Sequence, residues 1–88
     1  MTVQIGPYVF DNVDYDEQAD VLYLAIGDPR RAVEWDETAE HDAIAYDEHG
    51  DLVLLTIIRA RHREQRDGGI TVTLPERPLH ADVALALA

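Results

Sequence analysis

A twelve-residue stretch occurs twice in this chain, as YDEQADVLYLAI at Tyr15–Ile26 and YDEHGDLVLLTI at Tyr46–Ile57, offset by 31 residues. Tyr, Asp, Glu, a second Asp, one Leu and the final Ile recur in register. Each copy predicts the middle of a β-hairpin: the end of one strand, an acidic turn, then an apolar strand. Aspartate suits the turn Asp16–Asp20 because its carboxylate hydrogen-bonds the backbone of its own turn. The second turn runs Asp47-Glu48-His49-Gly50, where Gly50 supplies the left-handed backbone of a bulged turn.

The apolar strands constrain the fold further. Val21, Tyr23 and Ala25 point to one side, and Leu22, Leu24 and Ile26 to the other; Leu52, Leu54 and Ile58 likewise oppose Val53, Leu55 and Ile57. A sheet with one wet face alternates apolar with polar residues. Here both faces are apolar, so each needs a cover.

Around these hairpins the sequence predicts a short strand at Thr2–Ile5, ended by Gly6-Pro7, and a loosely alternating strand over Tyr8–Tyr15. Val33–Asp36 reads as a short edge strand whose acids discourage sheet-to-sheet pairing, followed by a loop to Asp42. Arg59–Gly69 is either one or two helical turns closed by Gly68 or a charged loop. Ile70–Leu74 is a further strand, stopped by Pro75 and Pro78. In the tail Leu79–Ala88 the alanines favour helix, while Val83, Leu85 and Leu87 keep a period of two.

The expectation is a mainly β fold, a small antiparallel meander of four to five strands built from two repeated hairpins. A short helix falls near 59–67 or in the C-terminal tail. Eighty-eight residues leave room for one domain. It divides into an N-terminal extension (1–12), a core (13–60) and a C-terminal extension (61–88). Burying about twelve apolar side chains would contribute roughly 20–35 kcal/mol gross, half of it forfeited if one face stays wet. With little helix to cover either face, a homodimer packed sheet on sheet is the expected remedy.

The net charge is −11, and it is unevenly placed. Residues 1–58 carry fourteen acids against Arg30 and Arg31, whereas residues 59–88 carry four acids against five arginines. An acidic body repels phosphate backbones, which argues against nucleic acid, and attracts a basic protein partner. Solubility alone is the plainer explanation. The cluster Arg59, Arg61, Arg63 and Arg66 is expected to pair with the acidic body, within the chain or between subunits. The first ten residues lack a basic start and a long apolar run, and no stretch is apolar enough to span a bilayer, so a cytoplasmic location is expected.

Motifs for chemistry are sparse. Asp14, Asp16 and Asp20 open like a calcium loop, but Ala19 stands where glycine is needed and Ala25 where a glutamate would close it. His41, His49, His62 and His80 show no ligand spacing, and there is no cysteine, which argues against a zinc site. There is no serine and no phosphate-binding loop. The sequence thus implies no catalytic residue, no cofactor and no metal. The partner-binding candidates are Tyr15, Asp16, Asp20, Tyr23, Asp47 and Asp51, with core packing as the alternative role of the tyrosines. A small enzyme or ligand-binding module with its site at a homodimer interface is the competing reading.

Tyr15-Asp16, Asp20-Val21-Leu22-Tyr23, Glu34 and Tyr46-Asp47-Glu48-His49-Gly50-Asp51-Leu52-Val53 together resemble a family of small prokaryotic proteins, the domain of unknown function numbered 2283. The resemblance covers residues 13–60 or so. That family runs Y-D-x-x-x-D-x-L-Y, a glutamate-bearing strand, then D-x-D-G-x-x-V-G-I-E-I. Here His49 replaces an aspartate and Leu54-Leu55-Thr56-Ile57 replaces G-I-E-I. The resemblance carries over no catalytic residue. It implies, by the family's gene neighbourhoods, an antitoxin-like partner of a small basic protein.

Overall fold

The two copies of the repeat fold into two hairpins that meet side by side. The structure, a computed structural model, describes all 88 residues. In chain order the strands are β1 (Val3–Ile5), β2 (Tyr8–Phe10), β3 (Asn12–Asp16), β4 (Val21–Ala25), β5 (Glu34–Glu37), β6 (Ala43–Tyr46), β7 (Leu52–Ile58), β8 (Ile70–Thr73) and β9 (Pro78–Ala81). One helix, α1 (Ala60–Asp67), follows β7, and single 3-10 turns lie at Pro29–Arg31 and Ala84–Leu87. No helix is long and apolar enough to cross a membrane.

The main sheet has the order β3-β4-β7-β6-β5 and is antiparallel throughout. At its centre Leu24 lies opposite Leu55. These two are equivalent residues of the repeat, so a local two-fold axis normal to the sheet passes between them. The symmetry sends the two acidic turns to opposite ends of the sheet. The strand order departs from a simple up-and-down meander in one place. After β4 the chain turns at Gly27 and Pro29 and crosses to the far edge as β5, which then pairs back onto β6.

Apolar residues on both faces of β4 and β7 do not share one fate. Leu22, Leu24, Leu55, Ile57 and Ile44 line one face and are at most 2% exposed. Their cover comes from the chain's own ends. The β1–β2 hairpin brings Val3, Ile5 and Phe10, and the β8–β9 hairpin with the tail brings Ile70, Val72, Leu74, Val83 and Leu87 into the same core. The sequence predicts little helix to cover either face. Two short hairpins do the work on this side.

Three local differences follow from the same arrangement. Tyr8–Tyr15 is two strands, because the chain leaves the β1–β2 ribbon and enters the main sheet at Asp11, whose carboxylate accepts the Gly27 N–H at 2.8 Å. Ile70–Thr73 is a strand, but it pairs with Pro78–Ala81 in a separate ribbon rather than in the main sheet. The tail then divides between that strand and a 3-10 turn.

Carboxylates fasten the cover to the sheet. Fully buried Asp42 accepts the Ile58 N–H at 3.1 Å and Arg63 Nη1 at 2.7 Å, and Arg63 Nη2 donates to the Thr71 carbonyl. Glu40 accepts both the N–H and the hydroxyl of Thr73 at 2.8 Å. Burial pushes the Glu40 carboxyl up, but the Thr73 N–H and hydroxyl outweigh it and hold the group below its ordinary range. Helix α1 begins after Arg59, which lies in the left-handed region with φ 53° and offers no side-chain cap. Its first N–H groups are satisfied instead by Asp20, forty or so residues earlier.

Candidate functional site

The second face of the main sheet has no such cover. Backbone register places Asn12, Ala25, Leu54, Ala45 and Trp35 in one row across all five strands. The next row is Asp14, Tyr23, Thr56, Ala43 and Glu37, and a third, shorter row is Asp16, Val21 and Ile58. The middle of this face is apolar. Trp35 is 61% exposed, Tyr23 42% and Ile58 38%, whereas their neighbours on the opposite face are sealed.

Tall and short side chains alternate along the rows. Ala25, Ala43 and Ala45 lie low between Tyr23, Leu54 and Trp35, with Ala25 and Ala45 already sealed from solvent, and shallow grooves run beside the taller side chains. One of these is a groove of about 260 Å³ lined by Asn12, Asp14, Tyr23, Ala25, Pro29 and Leu54. Charge is confined to the edges. Asp14 and Asp16 stand on β3 and Glu37 on β5, all exposed, and no row contains a cation. An apolar patch of several hundred Å² with a polar rim is the usual form of a docking surface.

The structure separates the six residues that the sequence singled out. Tyr23 stands on the open face, and Asp16 lies at its edge beside Val21, with its Oδ1 accepting the Ala19 N–H at 3.1 Å. Tyr15 belongs to the covered side. Its hydroxyl donates to Asp20 Oδ1 at 2.7 Å, and the Arg61 guanidinium sits over its ring at 5.2 Å. Burial and the bond to Asp20 push the Tyr15 hydroxyl above its ordinary value.

Asp20 is consumed by structure. Its carbonyl accepts the Ala60 N–H, Oδ1 accepts the Arg61 N–H at 2.7 Å, and Oδ2 accepts the His62 N–H at 3.2 Å. Partial burial pushes its carboxyl up, but the Arg61 N–H, the Tyr15 hydroxyl and the His62 N–H together hold it below the usual range. Its repeat equivalent, Asp51, is exposed at the other end of the sheet. There the ordering carboxylate is Asp47, buried in its own turn, where it accepts the His49 and Asp51 N–H groups at 2.9 and 3.0 Å. The Asp51 N–H is the largest influence holding the Asp47 carboxyl down. The two turns therefore form no common surface.

Other expectations find their places. Three of the four clustered arginines pair with acids of the same chain: Arg61 with Glu17 at 3.6 Å, Arg63 with Asp42 at 2.7 Å and Arg66 with Asp67 at 2.9 Å. Apart from these, His41 Nδ1 pairs with Glu37 Oε1 on the exposed surface. What the sequence reading missed is the row structure of the open face. Trp35, Leu54 and the alanines were legible as strand residues, but which rows face the same way depends on the register between strands distant in sequence.

A family model described as Protein of unknown function (DUF2283) matches residues 12–61. That span is more than half of the chain, and the chain belongs to this family. It takes in the five-strand sheet and the start of α1, while the segments that cover one face lie outside it. No curated protein and no solved structure matches the chain.

Proposed function

We propose that this member of the family is a non-enzymatic protein-binding module, cytoplasmic, whose contact surface is the open face of its five-strand sheet. One observation carries the reading: the two faces of the sheet are both apolar, the chain's own ends cover one, and the other keeps Trp35, Tyr23 and Ile58 exposed around the buried Ala25 and Ala45. Tyr23 and Leu54 are the central anchors, since large apolar side chains at the centre of a patch supply most of the energy of a protein contact, and Trp35 adds to them from the edge strand β5. Asp16 contributes from the rim. The carboxylates whose burial would suit them to chemistry, Asp20 and Asp42, are held by backbone N–H groups and Arg63, which supports binding over catalysis.

A native pull-down from the host, comparing the tagged wild-type chain with Leu54→Glu, tests the reading. A partner recovered in stoichiometric amount with the wild type and lost with Leu54→Glu, at matched thermal midpoints, is the expected result. Equal recovery with both chains would put the contact elsewhere and overturn the proposal.

A further inference from the structure

The open face also specifies what kind of partner it takes, and this step rests on the docking reading above. We infer that the occupant is a cationic amphipathic helix from another protein rather than a second copy of this chain.

Charge is the first argument. A two-fold axis that lays the face on its own copy sets an edge strand over an edge strand, whether the axis runs along the strands or across them. The edges carry Asp14 and Asp16 on one side and Glu37, paired with His41, on the other. Self-packing therefore brings carboxylates together around a desolvated centre, on molecules that each carry a net charge of −11. A partner with lysine or arginine flanking an apolar stripe meets the same edges favourably and is steered to them.

Size is the second. Five strands about 4.8 Å apart, with two or three outward residues each, make a patch of roughly 300–400 Å². A standard interface buries about 800 Å² on each partner, so this face is too small for a stable sheet-on-sheet dimer and suits a weaker, helix-sized contact. A helix of three or four turns is about 16–22 Å long and about 10 Å across, and lies within the patch. The groove bordered by Tyr23, Pro29 and Leu54 receives its side chains.

The test uses a capped amphipathic peptide of about 15 residues with leucine and alanine on one face and lysine along its flanks. Its controls are the same peptide with glutamate for lysine, and a scrambled order of the same composition. Emission of Trp35, the only tryptophan, reports burial of the face, and sedimentation of the free protein reports self-association. The lysine peptide is expected to bind with a blue shift, roughly tenfold more weakly to Leu54→Glu. Replacing Asp14, Asp16 and Glu37 by Asn, Asn and Gln should weaken it about five- to tenfold and flatten its salt dependence. Thr56→Arg is the second face variant, should Leu54→Glu unfold the domain.

Tight binding of the glutamate or scrambled peptide would overturn this inference and leave the docking face standing. So would a dimer of the free chain that Leu54→Glu dissolves. If no peptide binds and the chain stays monomeric at every salt concentration, both the inference and the docking reading fall.

Discussion

Leu54 and Leu55 are consecutive in sequence, share one strand and one composition, and live in different worlds. Leu55 is sealed under the β1–β2 and β8–β9 ribbons; Leu54 is only partly buried, on the barer face. The difference lies in what the flanking segments do. Residues 12–61, the span shared with the family, form a sheet with two apolar faces. The remaining residues fold back over one of them. Burial in this protein is thus decided by the cover, and the cover is held by a few carboxylates that the bare face lacks.

Substitutions on the covered side should show this most strongly. Arg63→Met leaves the fully buried Asp42 without its counter-ion and should cost about 3–5 kcal/mol in urea unfolding. The double variant Asp42→Asn with Arg63→Met should cost less than the sum of the singles, since the two groups act as one unit. Leu55→Ala should cost about 2–5 kcal/mol through lost burial and the cavity left behind. A loss under about 1 kcal/mol would mean that the cover is loose.

Asp20→Ala comes next. It removes the acceptor for the first N–H groups of α1 and should cost about 1–2 kcal/mol, the range for a helix cap. Acid should reproduce part of this loss without any mutation. The folded Asp20 and Glu40 carboxyls lie below their ordinary values, so the unfolded chain binds protons first. Their contribution is fully present above the unfolded values of about 3.9 and 4.3 and disappears as pH falls through the lower folded ones. Thermal midpoints followed from neutral pH downward should stay level and then drop below about pH 4. In Asp20→Ala the drop should be shallower.

The smaller packing effect is expected on the bare face. Leu54→Ala should cost about 1–2 kcal/mol, less than Leu55→Ala, because Leu54 is only partly removed from water in the free protein. The contrast between Leu54→Ala and Leu55→Ala, measured under one set of conditions, is the sharpest form of the comparison.

Much of this was legible in the residues. The duplication predicted two hairpins, and their acidic turns and doubly apolar strands are where the sequence put them. The family resemblance and the mainly β class hold as well. Three things escaped, each for a physical reason. The helix cap Asp20 is far from α1 in sequence, and local capping patterns look only to the preceding residue. Tyr15 carries the same aromatic signature as Tyr23, yet they sit an even number of positions apart from different partners, and only strand register assigns them to opposite faces. The cover was missed because short strands such as Pro78–Ala81 begin at a proline and leave a weak periodic signal.

The most direct test is paramagnetic broadening of methyl resonances in the free protein by an inert, soluble agent. The prediction is strong broadening of Leu54, Val21 and Ile58, with Leu55, Ile57 and Leu22 untouched. Protection of Leu54 and Ile58 to the level of Leu55 would mean that this face is already covered in the free chain, and would contradict the open docking surface.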